Sequence, residues 1–333
     1  MPGSSGERVV VTDSAALLQP GIELLRARGV AVEVLPSGIG SAEAAAIVAG
    51  YRAAIVGVLP IRASEIALLT ETGETGALVR AGIGYDIIDV EAATAARIWV
   101  VNVPDYCVDE VADHAVLLLM AAWRRLTELE RIWHAGAWVA PDLLPPVRRA
   151  RGRRLGIVGF GRIGRAVAQR ALSFGFDVVA HDPFVADEVL AAAGVQPVGL
   201  DELFATSDAI SLHCPLTAET AHLVDRDRLA VARDGLVLVN TSRGGIVDLA
   251  ALDEALDAGR VAAVGLDVLE DEPTPDLARP LLARPNVLLT PHLAWYSHEA
   301  RRDLAVQAAE EALRFVRGER PLNIVNPEAR LAP

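Results

Sequence analysis

Three short segments of this 333-residue chain carry side chains suited to holding an anion and moving a proton. They are NTSRGG with Arg243, LDVLEDEP with Glu272 and TPHLAW with His292. Each follows a β-branched apolar run of strand character. All three could therefore lie beyond the carboxyl ends of strands in an open α/β sheet, where such sheets bind ligands. An arginine fork can grip a carboxylate and polarise a carbonyl. An imidazole can give or take a proton near neutral pH, and a carboxylate beside it orients the ring and favours its protonated form. Each residue also has a plainer reading: Arg243 as a strand cap, Glu272 as one more acid in EDE, His292 as a satisfied core histidine. The three in one chain favour chemistry. The other histidines (His114, His134, His181, His213, His222 and His298) lack such support, and His298 opens the helical run SHEARRDLAVQAAEEALRFV.

GIVGFGRIG places Gly159, Gly161 and Gly164 in G-x-G-x-x-G spacing between a strand-like run and a helical one. The first glycine permits the tight turn, the second lets backbone approach a pyrophosphate, and the third lets helix pack on strand. The helix N-terminus then offers free N–H groups to the phosphates. Asp182 ends the next strand in VVAHDP, 18 residues after Gly164, near the spacing of about 20 expected for a ribose-binding acid. Its charge would repel a 2′-phosphate and HDPFV supplies no arginine, so NAD is the expected cofactor. With a hydride from NADH, the Arg–Glu–His set fits reduction of a 2-keto acid, which needs a cation at the carboxylate and carbonyl and an acid for the alkoxide.

Those groups need a frame. Strand candidates are 8–12, 30–35, 53–58, 77–82, 99–103, 154–160, 177–182, 209–213, 236–240, 264–268 and 286–290, and helical stretches separate most of them. The pattern predicts βαβ units on parallel sheets. Residues 108–134 read as one long helix, apolar over much of its length, serving the core and a subunit interface. APDLLPPVRRARGRR, 140–154, reads as a solvated basic surface loop. Hydrophobic residues make up 52% and net charge is −13, which describes a globular chain without a phosphate-backbone partner. No apolar run reaches membrane-spanning length. The start, MPGSSGERVVV, lacks signal-peptide anatomy, so a cytoplasmic location is expected. Cys107 and Cys214 are isolated and suggest no metal. The chain contains no lysine, which excludes Schiff-base and Walker-type lysine chemistry.

The motifs VRAGIGYDIIDV, NVPDYCVDEVADHA, the glycine fingerprint with HDP, HCPLT, NTSRGGIVD, GLDVLEDEP and TPHLAWYS cover nearly the whole chain in order. In them the sequence resembles the D-isomer-specific 2-hydroxyacid dehydrogenase family. The AWYS ending is similar to the branch holding the C-terminal-binding-protein corepressors and their bacterial enzyme relatives. The resemblance implies that His292 is the acid–base group, held by Glu272, and that Arg243 polarises the substrate carbonyl. It implies cofactor contacts from Arg162, Ile163, His213, Pro215 and Thr241 beside the glycines and Asp182, with Asp267 on the nicotinamide carboxamide. It places the substrate carboxylate on Gly82, Ile83 and Gly84, with Arg80 as a further contact. Trp295 offers a large apolar face that would narrow the pocket. The chain departs from the family pattern at Ile87, Cys107 and Asp113.

The expected architecture is α/β: two Rossmann-like doubly wound domains. An NAD-binding domain, 103–295, is inserted into a discontinuous, flavodoxin-like substrate-binding domain, 1–102 and 296–333. The expected activity is an NAD-dependent oxidoreductase, a D-2-hydroxyacid dehydrogenase working as a 2-keto acid reductase. A homodimer joined near 108–134 and a small 2-keto or 2-hydroxy acid substrate follow from the resemblance. The rivals are a phosphoglycerate, hydroxypyruvate or phosphite dehydrogenase on the same frame, and an NADH-sensing corepressor-like scaffold.

Overall fold

The computed structural model describes residues 7–138, 146–272, 275–276 and 278–330. Part of the loop expected over 140–154 lies outside them. The chain divides into two units, Met1–Tyr106 with Ser297–Pro333, and Cys107–Tyr296. The expected divisions were 102/103 and 295/296.

The first unit alternates β1 (Arg8–Val11), α1 (Ala15–Ala27), β2 (Ala31–Val34), α2 (Ser41–Val48), β3 (Ala53–Val56), α3 (Ala63–Thr70), β4 (Ala77–Arg80), α4 (Val90–Ala95) and β5 (Trp99–Val101). Its strands form a parallel sheet in the order β2-β1-β3-β4-β5, the flavodoxin-like order. β3 is buried along its whole length, as a strand covered on both faces must be, and this is why it reads as an unbroken apolar run.

The second unit contains α5 (Val108–Trp123), α6 (Leu126–His134), β6 (Arg154–Val158), α7 (Arg162–Ser173), β7 (Asp177–His181), α8 (Asp187–Ala192), β8 (Gln196–Pro197), α9 (Leu200–Thr206), β9 (Ala209–Leu212), α10 (Arg226–Val231), β10 (Leu236–Asn240), α11 (Leu249–Asp257), β11 (Val261–Leu266), α12 (Pro280–Ala283) and β12 (Val287–Leu289). Its parallel sheet runs β12-β11-β10-β9-β6-β7-β8. The strand order reverses between β6 and β9, so the loops leaving those two strands flank the crevice where a doubly wound sheet takes its ligand. Apolar clusters fill both faces of this sheet.

All eleven expected strands are present. The twelfth, β8, is a two-residue edge strand containing Pro197, tolerated there because an edge needs no donor from it; with no apolar run behind it, it left no signal. The single helix expected over 108–134 is two helices. Arg125 adopts a left-handed φ of 58° between them. Its guanidinium donates to the Ala262 carbonyl and to Glu128, which fixes the break against the start of β11.

After the insert the chain returns to the first unit as α13 (His298–Val316), capped by the Ser297 hydroxyl, which accepts from Ala300 N–H. α13 packs on α1 closely because residue 21 is glycine: a Cβ there would stand 2.1 Å from the Ala305 carbonyl oxygen. The tail then ties into the sheet edge. Fully buried Asn326 accepts from Val100 N–H at 2.7 Å and donates to the Ile98 carbonyl and the Thr94 hydroxyl. Among the described residues no helix is long and apolar enough to cross a membrane.

Candidate active site

The glycine loop leaves β6 at the switch point and shows why each glycine is needed. Gly159 has φ 90°, and a Cβ on it would meet the backbone of His213 and Cys214 at 2.6–2.8 Å. A Cβ on Gly164 would stand 2.1 Å from the Gly159 carbonyl oxygen. A Cβ on Gly161 would have nothing within 4 Å, and Gly161 caps α7 with no side-chain bond, which leaves room at the helix N-terminus beside Arg162 and Ile163. Arg162 is exposed, while Ile163 is half-buried against the core.

Asp182 lies across the loop. Its carboxylate accepts from Phe160 N–H at 2.7 Å and from Phe184 N–H at 2.9 Å. Burial first, and then the Asp182 charge, pushes the Cys214 thiol up to about 11. The Thr241 hydroxyl oxygen, at the end of β10, is buried without a hydrogen-bond partner, and such an orphan calls for a ligand group. An open Gly161, an uncapped helix end, an acid pinned at the end of β7 and an unpaired hydroxyl fit a dinucleotide. Pro215 is exposed at the same strand edge, its carbonyl accepting from the Thr220 hydroxyl.

His213 follows β9 with its Nε2 2.8 Å from the Ser211 hydroxyl. Burial lowers its pKa from 6.5 to about 3, so the ring is neutral in the folded protein. A depressed histidine costs stability as pH falls: below about 6.5 the unfolded chain takes a proton that the native ring refuses, down to about 3. The slope approaches about 1.4 kcal/mol per pH unit. Urea unfolding from pH 7.5 to 5 is expected to show wild type losing stability relative to His213→Gln below pH 6.5 and holding a constant difference above it. Parallel curves over the whole range would contradict a neutral buried ring.

Arg243, Glu272 and His292 stand on the segments that follow β10, β11 and β12. His292 Nδ1 lies 2.5 Å from Glu272 Oε2, and Glu272 Oε1 accepts from Leu269 N–H at 2.6 Å. An ionised carboxylate only accepts, so Nδ1 carries the proton and Nε2 faces away from Glu272. Arg243 sits on the turn after β10. Buried Asn240 shapes that turn, donating from Nδ2 to the Arg243 carbonyl and accepting from Ser242 N–H. The Arg243 guanidinium donates to the Ser242 carbonyl at 2.8 Å. The turn lies directly on the loop that leads to Glu272, since a Cβ on Gly244 would stand 2.0–2.3 Å from backbone atoms of Leu269 and Glu270. The structure thus brings Glu272 and His292 into contact and sets the Arg243 turn against the loop that leads to Glu272.

Asp267 is 1% exposed. Its carboxylate accepts from Leu293 N–H, Ala294 N–H and the Thr290 hydroxyl, all on the loop that carries His292. Trp295 is half-buried and meets the Tyr296 ring edge-on, 5.7 Å between centroids. Asn240, Gly244 and Thr290 lie inside NTSRGG and TPHLAW, but the sequence gives them no role of their own. Only the strand-end position of Asn240 and Thr290, and the doubled glycine after Arg243, could have signalled them.

In the first unit the loop after β4 is shaped by Gly82, whose φ is 153°. The Arg80 guanidinium folds over it, 2.8–3.0 Å from where a Cβ would be, and donates to the Ala81 carbonyl. Val103 N–H donates to the Gly82 carbonyl and the Asn102 amide to that of Ile83, which holds the Gly82-Ile83-Gly84 run in place.

A doubly wound domain with this glycine loop and an acid–base pair at its carboxyl edge is that of a dinucleotide-binding oxidoreductase. Residues 116–294 match the family described as "D-isomer specific 2-hydroxyacid dehydrogenase, NAD binding domain", and the chain belongs to that family of NAD-dependent oxidoreductases acting on 2-hydroxy acids. It is 44% identical over 248 residues, 74% of each chain, to a glyoxylate reductase of Korarchaeum cryptofilum. It is 37% identical over 308 residues to a D-3-phosphoglycerate dehydrogenase of Archaeoglobus fulgidus, covering 92% of this chain and only 57% of that protein. A solved glyoxylate reductase structure from Paecilomyes thermophila matches with a TM-score of 0.87 at 30% identity, over 99% of this chain and all of that one. These matches do not single out the corepressor branch.

Proposed function

We propose that this protein is an NAD(H)-dependent D-2-hydroxyacid dehydrogenase working as a 2-keto acid reductase. The observation that carries the reading is the His292–Glu272 pair, 2.5 Å apart, beside the Arg243 turn on a glycine-loop domain. NADH, when bound, supplies the hydride. The Arg243 guanidinium grips the substrate carboxylate and polarises the keto oxygen. His292 delivers a proton from Nε2 to the forming alkoxide and takes it back in the reverse direction. Glu272 fixes the ring and its tautomer through Nδ1. Gly82, Ile83, Gly84 and Arg80 bind the substrate carboxylate, and Trp295 limits the space for its side chain.

The first unit supports a substrate with an uncharged side chain. After β3 the chain presents Val58, Leu59 and Pro60, with Val58 71% exposed. Arg62, two residues on, donates to the Asp86 carbonyl, and Arg80 donates to the Ala81 carbonyl. A phosphate-bearing substrate calls for a cluster of cations aimed at it. Exposed apolar residues on α5 and α6 (Leu117, Leu126 and Trp133) support a homodimer through these helices. A cytoplasmic location fits an NAD-dependent enzyme of this kind.

The test is a panel of 2-keto acids, small, branched, aromatic and phosphorylated, with NADH and NADPH. The highest kcat/KM is expected for an uncharged side chain with NADH, and NADPH is expected to be poorer by about 10²-fold, the order of a like-charge contact at Asp182. Asp182→Ala should shrink that preference. Absence of turnover with every keto acid would reject the activity and favour an NADH-sensing scaffold.

A further inference from the structure

We propose that His114, on α5, is a positioning residue for the reaction. Through Thr290 and Asp267 it fixes the loop on which His292 stands. This rests on the reading of His292 as the acid–base group.

His292 occupies a left-handed backbone conformation, φ 55°, which a side-chain-bearing residue keeps only where the surroundings over-determine it. Asp267 supplies that constraint. His292 N–H donates to the Asp267 carbonyl at 2.8 Å. The next two N–H groups, of Leu293 and Ala294, donate to the two oxygens of its carboxylate at 3.0 and 2.9 Å. Three consecutive backbone donors thus converge on one buried residue, and the direction of the His292 side chain follows from how that carboxylate is turned.

The carboxylate is turned by Thr290, whose hydroxyl lies 2.6 Å from Oδ1. Counting protons fixes the next link. A hydroxyl has one hydrogen, and Asp267 accepts it. The 2.9 Å contact between Thr290 Oγ1 and His114 Nε2 must therefore be a bond in which His114 donates. The direct His114–Asp267 distance, 3.8 Å, is too long for a hydrogen bond, so Thr290 is the bridge. The sequence brings His114 there through one small residue. A Cβ on Gly265, in β11, would stand 2.8 Å from the Leu118 Cβ, so glycine lets α5 settle onto the strand. His114 lies one helical turn before Leu118 on the same face.

Loss of the His114 donor frees the Thr290 hydroxyl to turn away, leaves the Asp267 carboxylate without the third of its partners and lets the His292 ring drift from Glu272. A displacement of about 1 Å at a reacting group can cost about 10²-fold in rate, and it falls on kcat rather than on cofactor binding.

The experiment compares Thr290→Val and His114→Phe, which remove the links, with Thr290→Ser and His114→Gln, which keep a hydroxyl and a donor. For each it measures kcat, KM and NADH affinity on the full chain, thermal midpoint, and the low-field proton NMR signal of His292 Nδ1–H, assigned by its absence in His292→Gln. The link-removing pair should lose about 10- to 100-fold in kcat with KM and NADH affinity within about threefold. Their low-field signal should broaden or move upfield, and the conservative pair should restore both. Wild-type kcat and signal in Thr290→Val would overturn the proposal, as would failure of both conservative variants to rescue at an unchanged thermal midpoint. If wild type lacks turnover, or His292→Gln keeps it, the acid–base reading is what fails, and the NMR signal alone then decides whether the relay positions the ring.

Discussion

Replacing His292 by asparagine is expected to lower kcat for 2-keto acid reduction by about 10³-fold, in the range that a positioned general acid contributes. The direction follows from the geometry of the pair. Glu272 accepts a hydrogen bond from Nδ1–H at 2.5 Å, which leaves Nε2 as the ring nitrogen able to exchange a proton with substrate. The His292 side chain is 44% exposed, so a ligand can reach it. An asparagine amide can hydrogen-bond the keto oxygen but has no proton to release near neutral pH, so ground-state binding survives while the transition state loses its donor. The glycine loop and Asp182 are untouched, so NADH affinity should stay within about threefold. Glu272→Gln should cost less, about 10- to 100-fold, because the ring keeps a hydrogen-bond partner but loses the charge-assisted bond that orients it. Full activity in His292→Asn would remove His292 from the chemistry, and equal losses in kcat and NADH affinity would mean a collapsed site.

The frame and the strand-end positions of Arg243, Glu272 and His292 were legible because their signals are local. Buried parallel strands read as apolar runs, and a glycine loop set between strand and helix does little else than cradle phosphates. What escaped depends on contacts distant in sequence. Nothing in RRLTELE marks Arg125 as a left-handed residue; its docking on Ala262 breaks the helix. Asp267 sits at a strand end, and the sequence cannot say that its carboxylate faces the 290–294 loop, because that is settled by the neighbouring strand β12. His114 has no local support for the same reason, its partner Thr290 lying 176 residues away. Asn240 looks like one more strand-end polar residue until both ends of its amide are seen bracing the Arg243 turn.

Gly244→Ala should show how much the site depends on such a long-range fit. A Cβ at this position would stand 2.0 Å from the Leu269 carbonyl carbon and 2.3 Å from Glu270 N. Both are backbone atoms, so no side-chain rotation relieves the overlap and one segment must move. Residue 243 is then pushed away from the loop that holds Glu272 through Leu269 N–H, and both partners of the reaction are displaced together. With reacting groups moved by about 1 Å, kcat/KM should fall by at least about 10²-fold, and the strain should lower stability by about 1–3 kcal/mol. Gly199→Ala is the control. Gly199 caps α9 with an ordinary extended backbone and nothing within 4 Å of its would-be Cβ, so activity and thermal midpoint should match wild type. Steady-state kinetics and thermal unfolding of the two variants side by side decide the matter. If Gly244→Ala behaves like Gly199→Ala, the Arg243 turn does not press on the Glu272 loop in solution, and the two halves of the site are positioned independently.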